Sequence, residues 1–284
     1  MINLTAMIQA VDYIEAHLRE PMPVADVAAA VSYSAYHFCR VFNQATHHSP
    51  YDYIMRRRLS EAARDLVRSK RRIIDVALDY QFNSSETFAR AFKRFSGEQP
   101  NQWRREGRLD PHRLMPRLTL AHLERVAGGA YAPPVIETRP AFRMAGLMAL
   151  IHGDTSRIEA LWTLLDRELA APGAPPRTGE WYGLRYYPHG WEETGYFYLA
   201  GIEAAGDIDA PGLVLKTFPP GSYVCFAHAA PPRHLPLTLD YIYHTWLPKS
   251  DVRLSTGWVL ERYRSGGAGH VPQAAGAEVL LAFV

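Results

Sequence analysis

Apolar residues recur at helical spacing along the first hundred residues of the chain. Between residues 7 and 18, Ile8, Val11 and Ile14 fall on one face of a helix. The same spacing predicts further helices at 24–31, after Ser34, at 53–67, at 74–79 and after Ser84 or Ser85. The serines are candidate N-caps, and Gly97 and Pro100 would end the last of these helices. The pattern therefore predicts an all-helical N-terminal region.

A repeat of about 50 residues lies within this helical region. A short alanine-containing helix, a tight turn and a serine-capped helix with two phenylalanines four residues apart occur first in residues 26–42. They occur again in residues 75–92, and the helix between the two copies would separate them as a rigid spacer. Two helices joined by a tight turn form a helix-turn-helix unit, so the chain is predicted to carry two such units.

Each serine-capped helix carries a polar stripe beside its phenylalanine face. The predicted DNA-contacting residues are Tyr36, Cys39, Arg40 and Asn43 in the first copy and Ser85, Glu86, Ala89, Arg90 and Lys93 in the second. Side chains aligned in this way can enter a major groove together, where arginine hydrogen-bonds guanine. The basic runs 56–58 and 70–72 would supply charge for phosphates, with Arg57 as the candidate contact. The alternative is that the stripes and the runs are ordinary solvated surface.

The pattern changes after residue 108. Prolines and glycines interrupt residues 108–134, around a predicted helix at 118–126, which is typical of a linker between domains. Residues 135–284 then show two series of strand, helix, strand and strand, offset by roughly 75–83 residues. This duplication predicts an α+β domain with a pseudo-twofold axis and a cleft between its halves. The predicted organisation is a domain at 1–107, a linker at 108–134 and a domain at 135–284.

Composition and charge distinguish the two predicted domains. Apolar residues make up 48% and charged residues 21% of the 284 residues, which is typical of a folded globular protein. Residues 1–125 carry 19 Lys and Arg against 14 Asp and Glu, whereas residues 126–284 carry 12 against 15. Only the first part would therefore attract a polyanion. No apolar run is long enough to span a membrane. Having only two cysteines, Cys39 and Cys225, excludes a disulfide framework and fits a cytoplasmic location.

The sequence offers little catalytic chemistry. It contains no nucleophile-elbow motif, no phosphate-binding loop and no histidine pair at metal-ligand spacing, so we predict no catalytic residues, no metal and no cofactor. Glu261 has an unusual setting, because it lies in an apolar strand between Val259 and Tyr263. A buried carboxylate needs a partner. That partner could be a cationic ligand held among aromatic rings, or an arginine of the chain such as Arg262 or Arg264.

Aromatic side chains are concentrated in the second predicted domain. The candidates to line a ligand cleft with Glu261 are Trp181, Tyr182, Tyr223, Tyr243, Trp246, Trp258 and Tyr263. Because side chains alternate along a strand, Trp258 can also fall on the face opposite Glu261.

Residues 7–105 resemble the AraC/XylS-type DNA-binding domain. The resemblance rests on residues 26–28, 33–34, 38–42, 57–59 and 74–77, and it is strongest at 88–94 and 97–100. It implies two helix-turn-helix units that bind successive major-groove segments on one face of double-stranded DNA. It further implies a transcriptional regulator. We expect this regulator to be an activator, to be a monomer or weak dimer, and to have RNA polymerase as a partner.

The chain departs from this family's pattern in two respects. Both turns usually carry glycine where this sequence has Ser32 and Gln81. A left-handed backbone at a residue other than glycine costs roughly 1–2 kcal/mol. Cys39 and Ala89 stand where members of the family often carry polar contact residues, so the DNA target of the family does not transfer to this chain.

Residues 135–284 resemble the GyrI-like effector-binding domain. The resemblance rests on the duplicated layout, on Tyr182-Gly183, and on the segments 219–224, 243–248 and 260–263. It implies a central cleft for bulky, often cationic and aromatic compounds, with a key glutamate that maps to Glu261. Some members of that group hydrolyse small strained compounds with a similarly placed glutamate.

These observations predict a multidomain protein with an all-α double helix-turn-helix domain in front of a duplicated α+β domain. We predict that the protein is a DNA-binding transcriptional regulator controlled by a small apolar or lipophilic cationic effector. We also predict that it is not an enzyme. The alternatives are a DNA-tethered hydrolase and a regulator that needs no ligand and uses its second domain to dock a protein.

Overall fold

Helices form the N-terminal part of the chain, in agreement with the predicted all-helical region. The computed structural model describes residues 2–170, 180–204, 212–231, 234–255, 257–263 and 277–284. The helices at the N-terminus are α1 (Leu4–Ala16), α2 (Val24–Ala30), α3 (Ala35–Thr46), α4 (Pro50–Arg68), α5 (Ile73–Asp79), α6 (Ser85–Ser96), α7 (Pro100–Glu106) and α8 (Leu120–Ala127).

Serine side chains cap the second helix of each repeat. The Ser34 Oγ accepts a hydrogen bond from the backbone N–H of His37 at 3.3 Å. The Ser84 Oγ accepts one from the backbone N–H of Thr87 at 3.1 Å, so Ser84 rather than Ser85 is the N-cap of α6. Each cap satisfies a backbone donor that the first turn of a helix leaves free.

The helices enclose two apolar cores, one for each repeat. Helices α1, α2, α3 and the start of α4 bury the first core, which includes Phe38 and Phe42. The rest of α4 with α5, α6 and α7 buries the second core, which includes Phe88 and Phe92. The four phenylalanines are fully buried, as their helical spacing predicts.

The predicted linker differs from the structure. Met115, Leu118 and Leu123 are buried in the first core, and Leu114 is buried in the second. Helix α8 also contacts α1 and α3. Residues 108–130 therefore complete the helical body rather than connect two bodies, although prolines interrupt the segment.

The chain divides into two compact units, and a segment from late in the sequence belongs to the first of them. The first unit consists of Met1–Ala130 and Leu237–Ser250, and the second consists of Tyr131–Pro236 and Asp251–Val284. This division differs from the predicted domain at 135–284, because Leu237–Ser250 packs with the helical unit.

The second unit contains a mixed arrangement of strands and helices. Its elements are β1 (Val135–Arg139), β2 (Phe142–Ile151), α9 (Ser156–Glu168), β3 (Trp181–Tyr186), α10 (Trp191–Thr194), β4 (Tyr196–Glu203), β5 (Val214–Phe218), β6 (Gly221–His228), β7 (Trp258–Tyr263) and β8 (Ala277–Phe283). Between β6 and β7 the chain forms α11 (Leu235–Tyr241), a π-helical turn (Ile242–Trp246) and a 3-10 turn (Leu247–Lys249). The helical stretch from Leu237 onwards belongs to the first unit.

The strands form one antiparallel sheet whose order displays the predicted duplication. Within the described residues the order is β1-β6-β8-β7-β3-β4-β2-β5. Reversing this order exchanges β1 with β5, β2 with β6, β3 with β7 and β4 with β8, so a pseudo-twofold axis passes between β3 and β7. The predicted halves are confirmed, and each half also has a short first strand, which pairs with a strand of the other half.

Candidate DNA interface and buried carboxylate site

The predicted DNA-contacting stripes are available on the surface of α3 and α6. Tyr36, Cys39, Arg40 and Asn43 are all exposed on α3. On α6, Glu86, Arg90 and Lys93 are exposed, whereas Ser85 and Ala89 are half-buried. The stripes thus lie opposite the buried phenylalanines, where they could meet a groove.

The turns that precede these helices have a left-handed backbone. Ser32 has φ of 60° and Gln81 has φ of 67° at equivalent points of the two repeats. L-residues other than glycine adopt this conformation at a cost, because Cβ approaches the following carbonyl oxygen. The departure from glycine that the sequence displays is therefore a real source of strain in both turns.

The turns that follow α3 and α6 are also built alike. The Thr46 Oγ1 donates to the Phe42 carbonyl oxygen at 2.8 Å and accepts from the backbone N–H of His48 at 3.1 Å. The Ser96 Oγ donates to the Phe92 carbonyl oxygen at 2.9 Å and accepts from the backbone N–H of Glu98 at 3.3 Å. The structural repeat therefore continues beyond the predicted residues 26–42 and 75–92.

Residues of the Leu237–Ser250 segment hold the turn after α3. The buried His48 Nε2 lies 2.9 Å from the Thr245 Oγ1, and its Nδ1 lies 2.7 Å from the Asp52 Oδ2. The His47 Nδ1 lies 2.9 Å from the Tyr241 hydroxyl. The Lys249 ammonium donates to the His47 carbonyl oxygen. Three side chains from one segment thus fix a single two-residue turn.

Burial and charge set the titration of this turn. Burial lowers the pKa of His48 and outweighs its hydrogen bond to Asp52. Burial opposes the charge of Asp52, but His48 and Arg56 outweigh it and lower the pKa of Asp52 to about 2. Asp52 is therefore ionised beside a histidine that resists protonation.

Arg113 holds the turn after α6. Its guanidinium donates to the Glu98 Oε1 at 2.7 Å and to the Ser96 carbonyl oxygen. The same group lies 4.6 Å from the centre of a Trp103 ring, which is a cation–π distance. The second repeat is therefore secured from within the helical N-terminal part of the chain.

Arg57 has a structural role rather than the predicted contact with phosphate. Its side chain is buried, and it donates to both oxygens of Glu15 at 2.7 Å and to the Met115 carbonyl oxygen at 2.7 Å. Glu61, one helical turn further on, accepts a further hydrogen bond at 2.8 Å. The neighbouring Arg58 is buried as well. Glu61, four positions after Arg57, is the sequence signal that favours an ion pair over a phosphate contact.

Glu261 lies in β7 at the centre of a buried polar cluster. Its side chain is 1% exposed. The Tyr198 and Tyr263 hydroxyls donate to its Oε2 at 2.7 and 2.6 Å, and the Arg185 Nε donates to its Oε1. Of the two partners considered for this carboxylate, the structure thus contains an arginine, although from β3 rather than from β7.

The space for this cluster depends on a glycine. Gly183 pairs with Glu261 across β3 and β7. A Cβ at Gly183 would lie 2.2 Å from the Tyr198 hydroxyl and 2.7 Å from the Glu261 Oε2. Because such contacts are sterically forbidden, only glycine leaves room for the tyrosine to reach the carboxylate.

Arg185 is the site residue that the sequence reasoning missed. Its Nη1 donates to the Tyr196 hydroxyl at 2.6 Å, so the guanidinium bridges an acid and a phenol. Burial opposes its charge, but Glu261 and the surrounding hydroxyls outweigh this and raise the pKa of Arg185. No local signal identified it, because its partner is 76 residues away in sequence.

The predicted cleft residues do not come together around Glu261. Trp181 and Tyr263 pack on the same side of the sheet as Glu261. Tyr182, Tyr223 and Trp258 pack into the core on the opposite side. Tyr243 and Trp246 belong to the first unit, where Tyr243 stacks on His112 with ring centres 4.2 Å apart. Alternation along the strands explains the division of the sheet residues between the two faces.

The described residues contain neither a membrane-spanning helix nor a metal-binding cluster. None of the helices among them is long and apolar enough to cross a lipid bilayer. In the same residues, no cluster of three or more histidine, cysteine or acidic side chains is suited to hold a metal ion.

The doubled helix-turn-helix motif and the duplicated sheet define a class, that of AraC/XylS-type regulators with a GyrI-like second domain. Residues 18–106 match the model of a helix-turn-helix domain, and residues 132–281 match that of the GyrI-like small molecule binding domain. Since the second match covers more than half of the chain, the chain belongs to the GyrI-like family.

Curated relatives resemble the helical part of the chain. Transcriptional regulator Rob of Salmonella typhimurium is 39% identical over 108 residues, which are 38% of this chain and 37% of that protein. The HTH-type transcriptional activator AarP of Providencia stuartii is 37% identical over 32% of this chain and 68% of its own length. Regulatory protein SoxS of Escherichia coli is 36% identical over 32% of this chain and 86% of its own length. The chain thus spans little more than a third of the Rob relative.

Proposed function

We propose that this protein is a sequence-specific DNA-binding transcriptional regulator. The observation that carries the proposal is the pair of equivalent, exposed stripes on α3 and α6, each with an arginine at the same position, Arg40 and Arg90. Two recognition helices in one body suit successive major-groove segments of double-stranded DNA. The named relatives of this part of the chain are regulators, and one is called an activator. Activation through RNA polymerase in the cytoplasm is therefore the mode of action that we propose.

Base-specific contacts by Arg40 and Arg90 test this proposal. A site selected from random DNA should span about two helical turns. Arg40→Ala and Arg90→Ala should each weaken binding to it by about 1–3 kcal/mol and relax the preference at one end. Arg117→Ala is the matched control, because Arg117 is an exposed arginine paired with Asp12 outside the stripes. Quantitative gel-shift titration at fixed salt measures all three. Failure to select any preferred sequence would refute the proposal.

We further propose that the second unit binds a small organic effector without consuming it. The buried cluster around Glu261 supports this, because three donors already use the carboxylate oxygens, so that Glu261 is engaged within the chain rather than free to act as an acid or base. No observation favours the hydrolase alternative or a protein-docking role. A screen by tryptophan fluorescence, with product analysis of every hit, tests the proposal. Product formation that Glu261→Gln abolishes would show an enzyme instead.

A further inference from the structure

The Glu261 carboxylate has its counter-ion within the chain. Arg185 and Glu261 are 7% and 1% exposed, and each is the charged partner of the other. A buried carboxylate attracts a cation only while its charge is uncompensated. We propose that Arg185 is a specificity-determining residue that makes the second unit a receptor for uncharged aromatic compounds rather than for lipophilic cations. This inference rests on the proposed effector-binding function.

The other polar groups of the cluster leave this balance of charge unchanged. The hydroxyls that face Glu261 and Arg185 include those of Tyr196, Tyr198 and Tyr263, together with that of Tyr187, whose pKa burial also raises. Burial, followed by the charge of Glu261, raises the pKa of Tyr198 and Tyr263, and burial raises the pKa of Tyr196. These hydroxyls are therefore neutral at physiological pH. The cluster holds one positive and one negative charge, and an incoming cation would meet the guanidinium as well as the carboxylate.

Aromatic rings surround the Arg185–Glu261 pair. The Trp162 Nε1 donates to the Tyr198 hydroxyl at 3.2 Å, and the Trp162 ring lies 5.5 Å from the Tyr263 ring. The Arg185 guanidinium lies 5.3 Å from the Tyr196 ring and 5.5 Å from the Tyr198 ring. Arg185 therefore already takes the cation–π position that a cationic ligand would need.

The neighbouring strand β7 provides a control for Arg185. Arg262 in β7 is likewise 7% exposed, but it pairs with Tyr182 and therefore points to the opposite face of the sheet from Arg185. It donates to Glu137 at 2.9 Å and to Glu278 at 2.8 Å, so it is not the partner of Glu261. Replacing either arginine removes one buried guanidinium from one of the two equivalent strands, β3 and β7. Only the change at Arg185 leaves the charge of Glu261 uncompensated.

The experiment compares two probes of similar shape, methyltriphenylphosphonium and triphenylphosphine oxide, on the full-length protein. The wild type should bind the neutral probe at least about tenfold more tightly than the cation. Arg185→Met should raise the affinity for the cation about tenfold or more, and the additional change Glu261→Gln should abolish that gain. Arg262→Met should leave the ratio of the two affinities unchanged. Isothermal calorimetry measures the affinities, and circular dichroism checks the fold of each variant.

The outcomes separate the inference from the function on which it rests. A wild type that prefers the cation, or equal effects of Arg185→Met and Arg262→Met, would overturn the role of Arg185 while leaving effector binding intact. Absence of binding of either probe to every folded variant would instead count against the small-molecule function, and against the inference with it.

A second variant covers the case in which Arg185→Met does not fold. Glu261→Gln leaves the Arg185 charge uncompensated, so it should create affinity for the anion tetraphenylborate, at least about tenfold above the wild type. Unchanged affinity for this anion in a folded Glu261→Gln protein would contradict the proposed balance of charge.

Discussion

The two helix-turn-helix repeats have the same backbone but unequal support. Both have a serine N-cap, a left-handed residue in the turn and a hydroxyl that closes the recognition helix. The turn after α6 is held by Arg113, which lies close to it in the chain. The turn after α3 is held by Tyr241, Thr245 and Lys249, about 200 residues away in sequence. A duplicated motif can therefore keep its geometry while its two copies depend on different parts of the protein.

The helix ends differ in the same sense. His47 has φ of 57° at the end of α3, whereas Gly97 has φ of 81° at the end of α6. Glycine adopts this conformation without a steric penalty, and histidine does not. The first repeat thus carries extra strain at the place where the Leu237–Ser250 segment contacts it. Helix α6, which ends at a glycine, does not depend on a contact of this kind.

Acid should produce the largest difference between the repeats. Burial lowers the pKa of His244, in the segment that supports the first repeat, from 6.5 to about 4, although Asp240 opposes the change. His112 and Arg56 act in the same direction as burial, and burial also lowers the pKa of His48. A histidine with a lowered folded-state pKa stabilises the fold fully above pH 6.5 and loses that contribution as the pH falls towards 4. The loss for His244 should reach about 3 kcal/mol.

Hydrogen exchange of α3 and α6 amides between pH 7 and pH 4, with thermal melts alongside, checks this prediction. Protection of α3 should fall before that of α6. His244→Leu should flatten the pH dependence, because it removes the titrating group, whose Nε2 has no hydrogen-bond partner. An equal loss of protection in both helices would contradict unequal support.

Removing one supporting side chain from each repeat should give a smaller difference in stability than acid does. Thr245→Val leaves the fully buried His48 Nε2 without its partner, which should cost about 2 kcal/mol. Arg113→Met should cost about 1 kcal/mol, because Arg113 and Glu98 are 29% and 19% exposed and water can replace part of the interaction. Urea unfolding measures both costs. Equal destabilisation by the two variants would show that burial does not separate the two supports.

The sequence predicted the parts of this comparison that depend on local pattern. Helical spacing of phenylalanines and serine caps was enough to identify both repeats, and strand alternation identified the duplicated sheet. The packing of the Leu237–Ser250 segment with the helical unit was not predicted, because amphipathicity indicates that a helix packs but not which surface it packs against. Arg57 was misinterpreted for a related reason, since its partner Glu15 comes from a different helix. The Arg185–Glu261 pair depends on strand order, which short-range patterns do not specify.

Glycine substitutions in the two tight turns should have the smallest effect and should again differ between the repeats. Ser32→Gly removes the steric cost of the left-handed backbone, roughly 1 kcal/mol, but increases the entropy of the unfolded chain. A net stabilisation of about 0.5 kcal/mol is expected. Gln81→Gly should gain less or nothing, because the Gln81 Nε2 donates to the Arg19 carbonyl oxygen at 2.6 Å and this hydrogen bond is lost. Thermal melts of the two variants side by side measure the difference. Destabilisation by Ser32→Gly would show that its left-handed turn carries no relievable strain.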